Sequence, residues 1–132
     1  GHAYHATLPT DALVGFRDAM VETRDMGFEV ARDAQFELGD RARALLASKG
    51  YQPIAAEGFG APGVVVCFTD RADLQNGSGF AKAGFQIAAG VPLMIDEGPE
   101  FKTFRIGLFG LDKLKDITGT LARLESALDA VA

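Results

Sequence analysis

Phe104-Arg105-Ile106-Gly107 predicts a short β-strand that carries one arginine between apolar neighbours. Side chains alternate between the two faces of a strand. One face therefore holds the apolar residues Phe104, Ile106 and Leu108, and the other holds Thr103, Arg105, Gly107 and Phe109. On this window alone an exposed strand arginine is the ordinary interpretation. The alternative is a carboxylate-binding guanidinium, since Gly107 leaves little bulk beside it.

Length and composition are typical of one globular domain. The 132 residues are enough to bury a core, and 48% apolar with 23% charged residues argues against disorder. The net charge is −5, and the 13 basic residues are scattered along the chain. Scattered basic residues argue against a nucleic-acid partner or a membrane surface. No apolar run approaches the roughly 18 residues that a membrane helix needs.

The cysteine and histidine content predicts neither a disulfide nor a metal site. Cys67 lies in the apolar run Val64–Phe68, which predicts a small buried side chain. A single cysteine cannot form an internal disulfide, and this favours a reducing compartment, the cytoplasm. His2 and His5 are too few to complete a zinc site, so no metal is expected.

Two helices are predicted in residues 10–50. The first is expected to be capped by Thr10 and to stop at Gly27. The second is expected to run from Phe28 to Lys49. Apolar residues recur at helical spacing in both: Leu13, Phe16 and Met20, then Val30, Ala34, Leu38, Ala42 and Leu45.

In the second half of the chain, the helical spacing of apolar residues gives way to short strand-like runs. These predict a small, mainly antiparallel sheet over residues 51–110. Strands are expected at Gln52–Ala56, Gly63–Thr69, Phe85–Ala88 and around Arg105, with a crossing helix at Asp73–Ala83 interrupted by Asn76-Gly77. A C-terminal helix is expected in residues 111–132, from about Asp112 to Val131. Helices followed by a sheet crossed by helices define an α+β fold.

The chain offers no complete active site of its own. Its serines have no histidine in register, which argues against a nucleophile paired with a base. An acidic cluster in the loop 89–101, Asp96, Glu97 and Glu100, is interpreted as a solvated surface rather than a cation site. No catalytic residue is therefore assigned within these 132 residues.

Two motifs at opposite ends of the chain give a resemblance to a known family. These are Tyr4-His5-Ala6-Thr7-Leu8-Pro9 and Phe104-Arg105-Ile106-Gly107-Leu108-Phe109-Gly110. With the intervening order of elements, they resemble the class V aminotransferases, in particular the alanine–glyoxylate and serine–glyoxylate group. The resemblance covers the chain but corresponds to about the C-terminal third of such an enzyme.

The resemblance implies a fold type I homodimer that uses pyridoxal 5′-phosphate. Residues 1–132 match the C-terminal small domain, with residues 1–9 as the connector from a large domain that supplies the Schiff-base lysine. Arg105 matches the residue that binds the substrate carboxylate. Tyr4 and Thr7 match residues that contact the cofactor phosphate of the neighbouring subunit, while His5 is expected to be structural.

The implied reaction moves an amino group from alanine or serine to glyoxylate or pyruvate, and this segment alone is expected to be inactive. Two alternatives stay open. One is a free-standing α+β module that binds an amino acid through Arg105 and has a regulatory role. The other is a different class V chemistry, such as desulfuration or decarboxylation.

Overall fold

The computed structural model describes residues 8–132 and shows an α+β fold, as predicted. Its elements in chain order are α1 (Thr10–Met26), α2 (Phe28–Ser48), β1 (Val64–Phe68), α3 (Ala72–Gln75), α4 (Ser78–Lys82), β2 (Ala88–Ala89), β3 (Thr103–Gly107), α5 (Leu111–Lys115) and α6 (Ile117–Val131). The predicted phosphate contacts Tyr4 and Thr7, together with His5, lie outside the described residues.

The sheet of the described residues has three antiparallel strands in the order β1-β3-β2. The arginine strand β3 is therefore central, and Arg105 has a direct partner on each side. Val66 of β1 and Ala88 of β2 lie opposite it. The predicted alternation is confirmed from Phe104 onward, because Phe104, Ile106 and Leu108 are buried while Gly107 and Phe109 are exposed. It fails at Thr103, which is buried although it shares the face of Arg105.

The core lies on one side of this sheet. Phe104 is completely buried at its centre, where its ring meets Tyr51 edge-on at 5.2 Å and Phe80 at 5.8 Å between ring centroids. Helices α2, α3, α4 and α6 supply the facing side chains: Leu38, Ala42, Leu46, Leu74, Phe80, Ala127, Leu128 and Val131. Each large apolar side chain buried in this way contributes about 1.5–3 kcal/mol to folding.

The helix pair has the predicted extent, but its first cap differs. Gly27 joins α1 to α2 with a φ of 94°, a conformation that glycine adopts without strain. Thr10 was expected to cap α1 and does not. Pro9 occupies the cap position, and the Thr10 hydroxyl donates to the Leu8 carbonyl at 3.3 Å instead. Thr10 is thus the first helical residue.

Two predicted strands are shorter than expected. Gln52–Ala56 reduces to a single bridge between Pro53 and Cys67, closed by hydrogen bonds from the Ile54 amide to the Val66 carbonyl at 3.0 Å and from the Phe68 amide to the Gln52 carbonyl at 2.9 Å. The strand expected at Phe85–Ala88 is instead the two-residue β2. Phe85 is not available for pairing, since its amide donates to the Phe80 carbonyl at 2.9 Å and closes α4.

The breaks between helices are set by capping. The predicted interruption at Asn76-Gly77 is confirmed, with Gly77 at a φ of 78° between α3 and α4. The C-terminal helix was expected to be continuous, and it is split at Asp116. The Asp116 carboxylate accepts a hydrogen bond from the Gly119 amide at 2.9 Å and starts α6. Apolar spacing continues across this break, so periodicity does not reveal it.

Candidate functional site

The candidate site lies on the outer face of the sheet, the side opposite the core. This face carries Val64, Val66 and Phe68 of β1, Ala88 of β2, and Arg105 and Gly107 of β3. Thr103 of β3 shares this face and is buried, whereas the other side chains are partly or fully exposed. The alternate residues Val65, Cys67, Phe104 and Ile106 are buried. Arg105, the one charged group among these residues, is half-buried.

Arg105 is held by the strand next to it. Its Nε donates to the Ala89 carbonyl at 2.8 Å. Its neighbours on the outer face are Val66, Ala88 and Gly107, none longer than valine. The two terminal amino groups make no hydrogen bond within residues 8–132. Two parallel donors at the end of a guanidinium match the two oxygens of a carboxylate.

Charge pairing sets Arg105 apart from the other arginines. Within residues 8–132, it alone among the arginines has no carboxylate within 4.0 Å. The paired ones are Arg17, Arg24, Arg32, Arg41, Arg43, Arg71 and Arg123. A half-buried cation that has no internal counter-ion is suited to bind an external anion.

The loop between β2 and β3 borders the site and is organised by Glu97. The Glu97 carboxylate accepts hydrogen bonds from the amides of Leu93, Met94 and Ile95. Backbone amides, its own first and then that of Ile95, lower the pKa of Glu97. Glu97 was expected to belong to a solvated acidic cluster, whereas it is a structural carboxylate that shapes the turn. Between this loop and Thr103 lies a cavity of about 420 Å³.

Most lysines of the described residues are paired with carboxylates. Lys49 contacts Asp129 at 2.6 Å and Glu125 at 3.1 Å, and hydrogen bonds to these two carboxylates raise its pKa. Three more lysines also pair with carboxylates: Lys102 with Glu100, Lys113 with Asp112 and Lys115 with Glu22. Lys82 is the last residue of α4. Four of the five lysines in residues 8–132 are thus held in ion pairs with carboxylates.

Cys67 is a core residue, as predicted. Its side chain is fully buried on the inner face of β1, opposite Phe104. Burial raises the pKa of the thiol to about 12, and the nearby Arg43 offsets this only in part. A thiol of this kind is protonated at neutral pH and is a poor nucleophile.

The remaining classes of site find little support in the part of the chain that the structure describes. No group of three or more His, Cys, Asp or Glu side chains in this part is placed to hold a metal ion. Among its helices, none has the length and apolar character needed to cross a membrane.

Neither the protein families nor the curated proteins assign a relative to this chain. No protein-family model matches the chain. A search of curated proteins likewise gives no significant match.

Sequence reasoning identified Arg105 but not the groups that hold it. The Ala89 carbonyl lies 16 residues away in the chain. It reaches the guanidinium through the pairing of β2 with β3, which a local pattern does not encode. The role of Glu97 has a local signal in the sequence. Glu97 follows Met94 by three residues, and short-range contacts between a carboxylate and backbone amides organise many turns.

Proposed function

We propose that this chain is the C-terminal small domain of a cytoplasmic, homodimeric pyridoxal-phosphate aminotransferase. It would move an amino group from a small amino acid, alanine or serine, to a short 2-oxo acid, glyoxylate or pyruvate. The observation that carries the proposal is the half-buried Arg105, whose terminal amino groups have no partner within residues 8–132. The resemblance of the two terminal motifs to class V aminotransferases supplies the reaction class.

Arg105 serves both halves of such a reaction because both substrates carry a carboxylate next to the reacting carbon. The guanidinium binds this group through two hydrogen bonds and so fixes the orientation of that carbon. Attachment and activation of the cofactor belong to residues outside 8–132. Arg105 is therefore a substrate-binding residue, and the described residues contribute recognition rather than bond cleavage.

An uncovered apolar stripe on α1 supports the presence of a large domain or a second subunit. Leu13, Phe16 and Met20 share one face of this helix and are 45%, 64% and 56% exposed. No residue of α1 is buried, although the helix is 17 residues long. Its opposite side is tied to α5 by an ion pair between Glu22 and Lys115 at 2.7 Å. Apolar surface of this extent is typical of a contact with another domain or subunit.

The test is the substitution Arg105→Lys in the full-length protein, assayed with alanine and glyoxylate. Lysine keeps the charge but loses the paired donors. We expect KM for both substrates to rise by on the order of 10- to 100-fold, with a smaller fall in kcat. Arg41→Lys is the matched control, because Arg41 lies on the exposed side of α2 with Glu37 at 2.8 Å. Its kinetics should equal those of the unmutated enzyme.

Unchanged kinetics in Arg105→Lys would overturn the assigned role of Arg105. A full-length protein that binds alanine through Arg105 but transfers no amino group would instead be a binding module. The coding sequence upstream of Gly1 gives a separate check, since the proposal requires a cofactor domain there.

A further inference from the structure

The segment that carries the Ala89 carbonyl lies unusually close to β3. A Cβ atom built on Gly90 would lie 1.8 Å from the Thr103 carbonyl oxygen and 2.6 Å from its carbon, whereas real Cβ contacts stay beyond 3.0 Å. The Gly90 amide also donates to the Gln75 carbonyl at 2.8 Å. Gly90 is thus held between two backbone segments, with no space for a side chain. The constraint is one of space, since its φ lies outside the left-handed region.

This close approach determines where the Ala89 carbonyl lies. Strand β2 has two residues, so Gly90 is the next link after its last paired residue. Ala88 pairs with Arg105 and Ala89 with Phe104. A side chain at position 90 would push this end of β2 away from β3, and the acceptor for the Arg105 Nε proton would move with it.

We propose that Gly90 is a positioning residue for Arg105. It lets β2 approach β3 closely enough for the Ala89 carbonyl to engage Nε. With Nε engaged, a carboxylate is bound end-on, by the two terminal amino groups, and not side-on through Nε and one amino group. The binding half of this inference rests on the proposed function, whereas the contact between Gly90, Ala89 and Arg105 does not.

The same loop contains a matched control. Gly98 has no atom within 4 Å of its constructed Cβ and has no positive φ. Gly90→Ala and Gly98→Ala therefore introduce the same methyl group into one loop, and only the first meets backbone atoms.

The direct test is the exchange of the Arg105 Nε proton with water, measured by NMR on the ¹⁵N-labelled 132-residue chain. Arg41 is the reference, because its Nε makes no hydrogen bond within residues 8–132. One hydrogen bond should slow exchange at Arg105 about tenfold relative to Arg41. Gly90→Ala should remove this difference, and Gly98→Ala should preserve it. Equal rates at Arg105 and Arg41 in the unmutated chain overturn the inference, even if Gly90→Ala does not fold.

Kinetics of the full-length enzyme test the consequence for substrate. Gly90→Ala should raise KM for alanine and glyoxylate about tenfold with a smaller change in kcat, and Gly98→Ala should change neither. If Arg105→Lys impairs the enzyme while Gly90→Ala leaves KM unaltered, the positioning role is wrong and the proposed function stands. If Arg105→Lys has no effect, the proposed function fails, and the proton-exchange rates still decide the contact.

Discussion

The two faces of β3 differ in what their side chains do, although the residues alternate along one strand. Phe104 and Ile106 on the inner face are buried and packed by helices. Arg105 and Gly107 on the outer face have short neighbours and solvent access. The side chains of the inner face are covered by apolar contacts within the same domain. On the outer face the terminal amino groups of Arg105 have no hydrogen-bond partner within residues 8–132, and free donors next to apolar surface suit a small anionic ligand.

The largest difference in stability between the two faces is expected at Phe104. Phe104→Ala should lower the free energy of unfolding by about 3–5 kcal/mol, because it removes the central ring of the core and leaves a cavity. Phe109→Ala is the control on the outer face, where the ring is 69% exposed. It should cost less than about 1 kcal/mol. Chemical denaturation measures both, and similar losses would show that the two faces do not differ as described.

The alkylation rate of a cysteine thiol should differ between the same two faces on β1. Because the pKa of Cys67 is raised from 9.0 to about 12, its thiolate population near pH 8 falls about a thousandfold. Alkylation of the folded chain should be slower by at least that factor than alkylation in denaturant. A cysteine at the next, outward-facing position gives the comparison: Phe68→Cys in a Cys67→Ala chain should react readily. Fast labelling of native Cys67 would contradict its burial.

The smallest effect should come from Glu97, beside the outer face. Its pKa is lowered from 4.5, so the contacts it makes are intact above that pH and are lost as pH falls through the folded-state pKa. Exchange of the Leu93, Met94 and Ile95 amides, corrected for intrinsic rates, should rise about fivefold in an acid titration once the pH falls below the folded-state pKa of Glu97.

Glu97→Gln should have the same effect at neutral pH, because an amide accepts these bonds less strongly than a carboxylate. The control is Glu100→Gln, since the Glu100 side chain is exposed and meets Lys102 at 3.3 Å. The Phe104 amide in the core should keep its protection in every case. A pronounced loss of exchange protection at the Phe104 amide would mean that the loop and the inner face do not open separately.

The local sequence pattern predicted those elements in which the spacing of apolar residues matches the side chains that are buried. The alternation around Arg105, the extent of α2 and the glycine breaks at Gly27 and Gly77 are all visible in the sequence, since each follows from side-chain spacing or from a special φ. The split at Asp116 was missed. There the Asp116 carboxylate caps a new helix, although apolar residues keep their helical spacing from Leu114 to Leu121.

The candidate site could be predicted in part. The local strand pattern left Arg105 as an ordinary exposed arginine, and its predicted role as a carboxylate ligand came from the resemblance carried by the two terminal motifs. Its orientation could not be predicted, because the Ala89 carbonyl and the space at Gly90 arise from the pairing of distant segments. The contacts expected of Tyr4 and Thr7 stay predictions, since they lie outside the described residues.

The brevity of β2 has a consequence for how the chain behaves at high concentration. Val64–Phe68 is an uncharged, β-branched run, the kind of segment that pairs with copies of itself in aggregates. One edge of the sheet ends in only two residues, and the other is covered at Pro53, which has no proton to donate. The most aggregation-prone segment therefore has little open strand edge beside it. Self-association in the native state is therefore expected first through exposed apolar side chains, such as those of α1.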